Sequence, residues 1–164
     1  MHRYSLLNHI SLGAEANHKY RIMILLDTGL YQRVLGLETS NLLLSDDFKI
    51  VNKGTIAEMF VGQELLKSAS CFEPKQLYCW AKEKNKGNAQ VDFIVQVGET
   101  IIPIEVKSGS QGAMQSLRQF MSEKKIQRGV RTSLENFCNY KDIDVYPLYA
   151  ITNVLNQAEK VQSV

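Results

Sequence analysis

Three side chains in the stretch VDFIVQVGETIIPIEVKSG, residues 91–109, have the chemistry to act together: Asp92, Glu105 and Lys107. Two neighbouring carboxylates repel. The repulsion is relieved by raising a pKa, by a cationic side chain or by binding a metal cation. Oxygen ligands suit a hard divalent ion such as Mg²⁺, which often takes one or two carboxylates and completes its shell with water and substrate phosphate. A metal held there polarises a phosphoryl oxygen and helps to activate an attacking water. A lysine on the same surface can orient that water or stabilise developing negative charge.

The spacing places these residues on a hairpin. Taking Gly98-Glu99 as a two-residue type II′ turn, with glycine at the position that needs positive φ, Val97 pairs with Thr100 and partners sum to 197. Asp92 then falls opposite Glu105, as a non-hydrogen-bonded pair with close side chains. Alternation puts Asp92, Glu105 and Lys107 on one face. Phe93, Val95, Val97, Ile102, Ile104 and Val106 occupy the other, which is expected to be the core. Pro103 suits this register, because its nitrogen points away from the partner strand. The competing reading of the same residues is a solvated polar face with a surface ion pair, and a one-residue slip would remove the alignment.

A third acid lies upstream. GTIAEMFVGQELLKS reads as a helix over residues 54–68, and Glu58 sits in it among Ile56, Ala57, Met59, Phe60 and Val61. An acid on an apolar helical surface needs a partner, and Gly62 would allow close approach there. An acid near a helix start also suits the dipole without further function.

The elements around these residues follow from periodicity and punctuation. Residues 21–37 read as a strand or short helix followed by a helix, with Asp27 as a cap. Residues 38–53 hold a helix-like NLLL and a polar connection. Residues 75–83 read as a strand and 84–89 as a basic turn. Residues 113–125 form a helix with Met114, Leu117, Phe120 and Met121 at helical spacing. Residues 128–135 and 144–151 each hold a strand, and the last dozen residues a helix. The order of helix, three strands, helix, strand, strand gives an α/β fold with a mixed central sheet flanked by helices.

Composition sets bounds. A chain of 164 residues can bury one core, and a net charge of +2 permits a nucleic-acid partner without announcing one. Cys71, Cys79 and Cys138 lack metal-ligand spacing and are expected to be reduced thiols of a cytoplasmic protein. His2, His9 and His18 have no acidic partners at ligand spacing. No apolar run is long enough to span a membrane, and no G-x-x-x-x-G-K-[ST] is present, so no ATP site is expected. Lys82, Lys84 and Lys86 beside the hairpin could meet phosphate, with a solvated turn as the competing reading. Lys124, Lys125, Arg128 and Arg131 form a second basic run, at a helix end that favours positive charge in any case.

Glutamate on a first helix, then aspartate, then Glu-x-Lys on a hairpin, then a helix, resembles the PD-(D/E)XK nuclease superfamily. More closely, LLDTGLYQRVLG, KGTIAEMFVGQEL, LYCW, VDFIVQVGETIIPIEVKSG, SLRQF and YPLYAI resemble the C-terminal domain of unknown function of bacterial and archaeal AAA-type ATPases, over about residues 10–151. The resemblance implies a restriction-endonuclease-like core over residues 51–164. It implies that residues 1–50 are an extension left from the connection to an ATPase module. It implies catalytic roles for Glu58, Asp92, Glu105 and Lys107, with Gln115 as a weaker polar candidate, and Mg²⁺ or Mn²⁺ on Asp92, Glu105 and Glu58. Nucleic acid, DNA first, is the expected partner, with an AAA-type ATPase and a second copy of the chain as further partners. Gln90 and Ala81 depart from the family pattern, where an acid and a basic residue are frequent. A nuclease-fold module without catalysis, binding nucleic acid or protein beside an ATPase, is the alternative.

Overall fold

The computed structural model describes residues 2–4, 12, 16–36, 53–68, 72, 76–82, 88–109 and 113–155. In chain order the elements are β1 (His2–Tyr4), β2 (Ala16–Arg21), α1 (Thr28–Val34), α2 (Lys53–Lys67), β3 (Tyr78–Ala81), β4 (Gln90–Val97), β5 (Thr100–Glu105), α3 (Gln115–Lys124), β6 (Gly129–Ser133), β7 (Cys138–Tyr140) and β8 (Ile143–Pro147). A single 3₁₀ turn, Leu148–Ala150, follows β8. The fold is α/β: the strands form one mixed sheet in the order β2-β1-β3-β4-β5-β6-β8-β7. The β1–β3, β5–β6 and β6–β8 pairs are parallel and the others antiparallel.

Helices cover both faces. On one, Ala57, Val61 and Leu65 of α2 pack with Phe93, Val95, Val97, Ile102, Ile104 and Val106. On the other, Leu117, Phe120 and Met121 of α3 pack with Tyr78, Trp80, Val91 and Ile94. The Trp80 and Phe120 rings meet at 5.3 Å between centroids. The expected apolar face of the hairpin is thus the α2 side. The opposite face is not a solvated polar surface, because α3 covers much of it.

The turn forms as its residues dictate. Gly98 has φ +56° and Glu99 is not among the described residues with positive φ, which is the II′ pattern. Val97↔Thr100 through Phe93↔Ile104 all sum to 197. Pro103 pairs with Ile94 on the β4 side, and the ladder with β6 begins only at Ile104↔Val130, so the missing N–H interrupts neither ladder.

Several expectations are corrected. The apolar run after residue 21 is not a strand. Residues 22–26 are irregular, and α2 side chains satisfy the backbone of Leu25: its N–H donates to Met59 Sδ at 3.1 Å and its carbonyl accepts from Gln63 Nε2 at 2.8 Å. The strand lies earlier, at Ala16–Arg21, and pairs with β1. Asp27 does cap α1, its carboxylate accepting from Leu30 N–H at 2.8 Å. The last expected strand stops at Pro147, where the chain turns into the 3₁₀ segment. β7 is a three-residue exposed edge strand too short to show periodicity. The NLLL segment and the last nine residues lie outside the described residues. Two strands from the first fifty residues extend the same sheet. Cys79 is buried and Cys138 exposed, neither in a disulfide, and Cys71 is outside the described residues. Among the described residues no helix is long and apolar enough to cross a membrane.

Candidate functional site: buried acids at the open end of the hairpin

β3, β5, β6 and β8 run in the same direction, so their carboxyl ends lie along one edge of the sheet. β4 runs the other way and starts at that edge. Asp92, near the start of β4, is thereby brought beside Glu105 at the end of β5. The carboxyl ends of parallel strands are where open α/β sheets most often bind ligands.

The local backbone is irregular here. Between Tyr78↔Ile94 and Trp80↔Val91, β3 advances by two residues and β4 by three, so one extra β4 residue is accommodated at Asp92–Phe93. Such a bulge re-aims side chains and often sits beside a functional site. It explains why Val91 and Ile94, of opposite parity, share the α3-side core. It also corrects the expected cross-strand pair. The β4–β5 ladder ends at Phe93↔Ile104, and Asp92 instead accepts the Val106 N–H on Oδ2 at 2.8 Å.

Glu105 is only 6% exposed. Lys107 Nζ donates to its Oε1 at 2.7 Å. Its Oε2 is buried with no hydrogen-bond partner. Burial, and then the charge of Glu105, push Asp92 up from 3.8 to about 7; Glu58 adds to the rise, while the Val106 N–H and Lys107 oppose it. Burial and the Glu105 charge also raise Glu58, against the pull of Lys107. The three acids therefore act on one another electrostatically, and Lys107 is the cation that counters each of them. Gly62 supports the approach of α2 carrying Glu58: a methyl there would stand 3.1 Å from Phe93 Cζ and 2.9 Å from Ile24 Cδ1.

Two residues that sequence reasoning passed over hold the lysine segment. Thr132 Oγ1 accepts from Lys107 N–H at 3.0 Å and donates to Lys107 O at 3.3 Å. Ser133 Oγ donates to Gly109 O at 3.1 Å. Both hydroxyls are buried at the end of β6 and hold the chain after Glu105, beyond the last β5–β6 pair, Glu105↔Arg131. Only the strand order could reveal them, because they lie 25 and 24 residues from their partners.

The structure brings Glu58, Asp92, Glu105 and Lys107 together. Gln115 is exposed at the start of α3, and among the described residues no hydrogen bond joins it to the acids. Lys82 leaves β3 at the same edge of the sheet and pairs with Glu123 at 3.1 Å. Lys84 and Lys86 lie outside the described residues. The second basic run is not a continuous surface: Arg131 is buried and Arg128 is paired with Asp144. Among the described residues no three His, Cys, Asp or Glu are gathered closely enough to enclose a metal ion unaided. The orphaned Glu105 oxygen, with Asp92 and Glu58 close enough to act on it electrostatically, nonetheless fits a cation whose shell is completed by water and substrate oxygens.

Residues 53–151, from α2 to the residue after the 3₁₀ segment, match a family described as Domain of unknown function (DUF4143). The chain belongs to the DUF4143 family. The matched span contains all four of the clustered residues and both β6 hydroxyls. No curated protein and no solved structure matches the chain.

Proposed function

We propose that this DUF4143 domain is a metal-dependent nuclease of the PD-(D/E)XK type, with a restriction-endonuclease-like core, hydrolysing phosphodiester bonds of nucleic acid. The observation that carries the reading is the Glu105 carboxylate, with one oxygen on Lys107 and the other buried and unpartnered. A purely structural residue in that position leaves a costly unsatisfied group. A cation converts the same oxygen into a ligand. Asp92 and Glu105 would hold Mg²⁺ or Mn²⁺, with Glu58 as a further ligand or acting through water. When bound, the metal supplies charge against the phosphoryl oxygens and acidifies water.

The chain's own residues supply the remainder. The Val106 N–H fixes one Asp92 oxygen, leaving the other available. Lys107, its backbone clasped by Thr132, places its ammonium beside Glu105, where it can orient the attacking water and counter charge on the phosphoryl group. Water oxygen bonds to phosphorus, the bond to the leaving oxygen breaks, and that oxygen takes up a proton.

The direct Lys107–Glu105 ion pair also favours a second reading. A site already neutralised could belong to a non-catalytic module that binds nucleic acid or protein beside an ATPase. Calorimetric titration of Mg²⁺ and Mn²⁺, with and without a non-cleavable oligonucleotide, separates the two. Saturable metal binding that Glu105→Gln abolishes, accompanied by cleavage of the ordinary oligonucleotide, is the expected result. No metal-dependent binding in either condition would overturn the catalytic reading.

A further inference from the structure

The sheet edge that carries the acids also carries exposed rings that the proposed chemistry does not use. Phe137 follows β6 in the connection to β7 and is 52% exposed; Tyr149 follows β8 and is 74% exposed; Leu134, between Ser133 and Glu135, is 70% exposed. Phe137 is not loose. Its ring meets the buried Tyr146 ring edge-on, with centroids 5.6 Å apart. Tyr146 pairs with Thr132, which holds Lys107, so a continuous set of contacts joins the ring to the acid site. Leu134 N–H also bonds Gly109 O at 3.5 Å. β6 and β8 lie one and two strand spacings from β5, about 5 and 10 Å.

We propose that Phe137 and Tyr149 form a stacking platform for the unpaired bases of a single-stranded nucleic acid whose backbone enters the acid site. This inference rests on the nuclease reading and narrows its substrate to single strands or single-stranded segments. Base faces stack on aromatic rings with little regard to sequence, whereas a duplex hides those faces. The charge pattern agrees with base contact over phosphate contact: residues 134–140, LENFCNY, contain one acid and no lysine or arginine. A surface that gripped backbone would carry cations.

The test is fluorescence anisotropy with fluorescein-labelled oligothymidine and, separately, a blunt duplex of matched length, with Ca²⁺ in place of Mg²⁺ to suppress cleavage. The single strand should bind at least tenfold tighter than the duplex. Phe137→Leu and Tyr149→Ala should each weaken single-strand binding about tenfold. The slope of log affinity against log salt should be unchanged, because no phosphate contact is lost. Phe137→Trp should retain affinity, which excludes a folding defect as the cause. Unchanged single-strand affinity in both variants, with metal-dependent binding still abolished by Glu105→Gln, would overturn the platform and leave the acid site standing. Loss of self-association by sedimentation in both variants, without any change in oligothymidine affinity, would assign the rings to a second copy and overturn the platform. No binding of either nucleic acid by the native chain, with no metal dependence, would overturn both readings.

Discussion

Toward its turn, the β4–β5 hairpin pairs Val97 with Thr100 through Phe93 with Ile104 in unbroken register, and the inward side chains sit in a core closed by α2. Toward its open end the ladder stops, β4 bulges, a carboxylate replaces a backbone partner for Val106, and Glu105 is buried with one oxygen unsatisfied. The first half lowers the free energy of the fold by burying apolar surface. The second half concentrates like charge where water is scarce, which costs stability. Local rules of pattern and pairing hold where the hairpin is scaffold and fail where it is a candidate site, as expected when function rather than stability selects the residues.

The two halves should differ most in their response to pH. The folded-state pKa of Asp92, about 7, lies above its ordinary 3.8, so between these values the folded protein holds a proton that the unfolded chain releases. Stability is therefore highest below about pH 4 as far as this group is concerned. It falls as pH rises toward 7, by about 4 kcal/mol. The raised pKa of Glu58 acts in the same direction. Urea unfolding across this range should show the decline in metal-free protein. Asp92→Asn, which keeps an acceptor for Val106, should remove most of it and be the more stable protein at pH 8. An equal slope in the variant would show that the open end is not the strained half.

The regular half should respond to volume and not to pH. Ile104 is fully buried, and Ile104→Ala should cost about 3 kcal/mol at every pH, read from urea midpoints. A metal effect belongs to the open half alone. At a hundredfold excess over its dissociation constant, Mg²⁺ should raise the unfolding free energy of the native protein at pH 8 by about 2.7 kcal/mol. It should have no effect on Glu105→Gln.

Two smaller effects sharpen the contrast. Gly98→Ala forces a side chain into positive φ and should cost about 1 kcal/mol, with no change in metal affinity. Thr132→Val removes the hydroxyl that clasps Lys107. It should cost about 1 kcal/mol but also weaken metal binding, because the lysine beside Glu105 is no longer held. Thr132→Ser should restore metal binding.

Much of the hairpin was legible because strand alternation and a glycine turn are local properties. Residues 93–104 needed no information from elsewhere in the chain, and the Asp27 cap likewise depended only on its immediate successors. Apolar content alone does not reveal that the run Ile22–Leu26 is irregular, because Met59 and Gln63, more than thirty residues away, satisfy the backbone of Leu25. Sequence proximity groups Arg131 with Lys124, Lys125 and Arg128 in one basic run, whereas the sheet places it between β5 and β8 as a buried strand residue.

The residue types of the site, the hairpin register up to Phe93, the amphipathic helices and the mixed α/β class follow from covalent neighbours and short periodicities. The tertiary structure alone decided that β4 bulges at Asp92, that α3 covers the second face, that Thr132 and Ser133 clasp the segment after Glu105, and that Phe137 and Tyr149 emerge at the same edge as the acids. Those outcomes depend on strand order and on burial, which arise from contacts between residues far apart in the chain. Burial also turns the acids from a polar surface into a coupled group, in which the Asp92 and Glu58 pKa values are raised and one Glu105 oxygen lacks a partner.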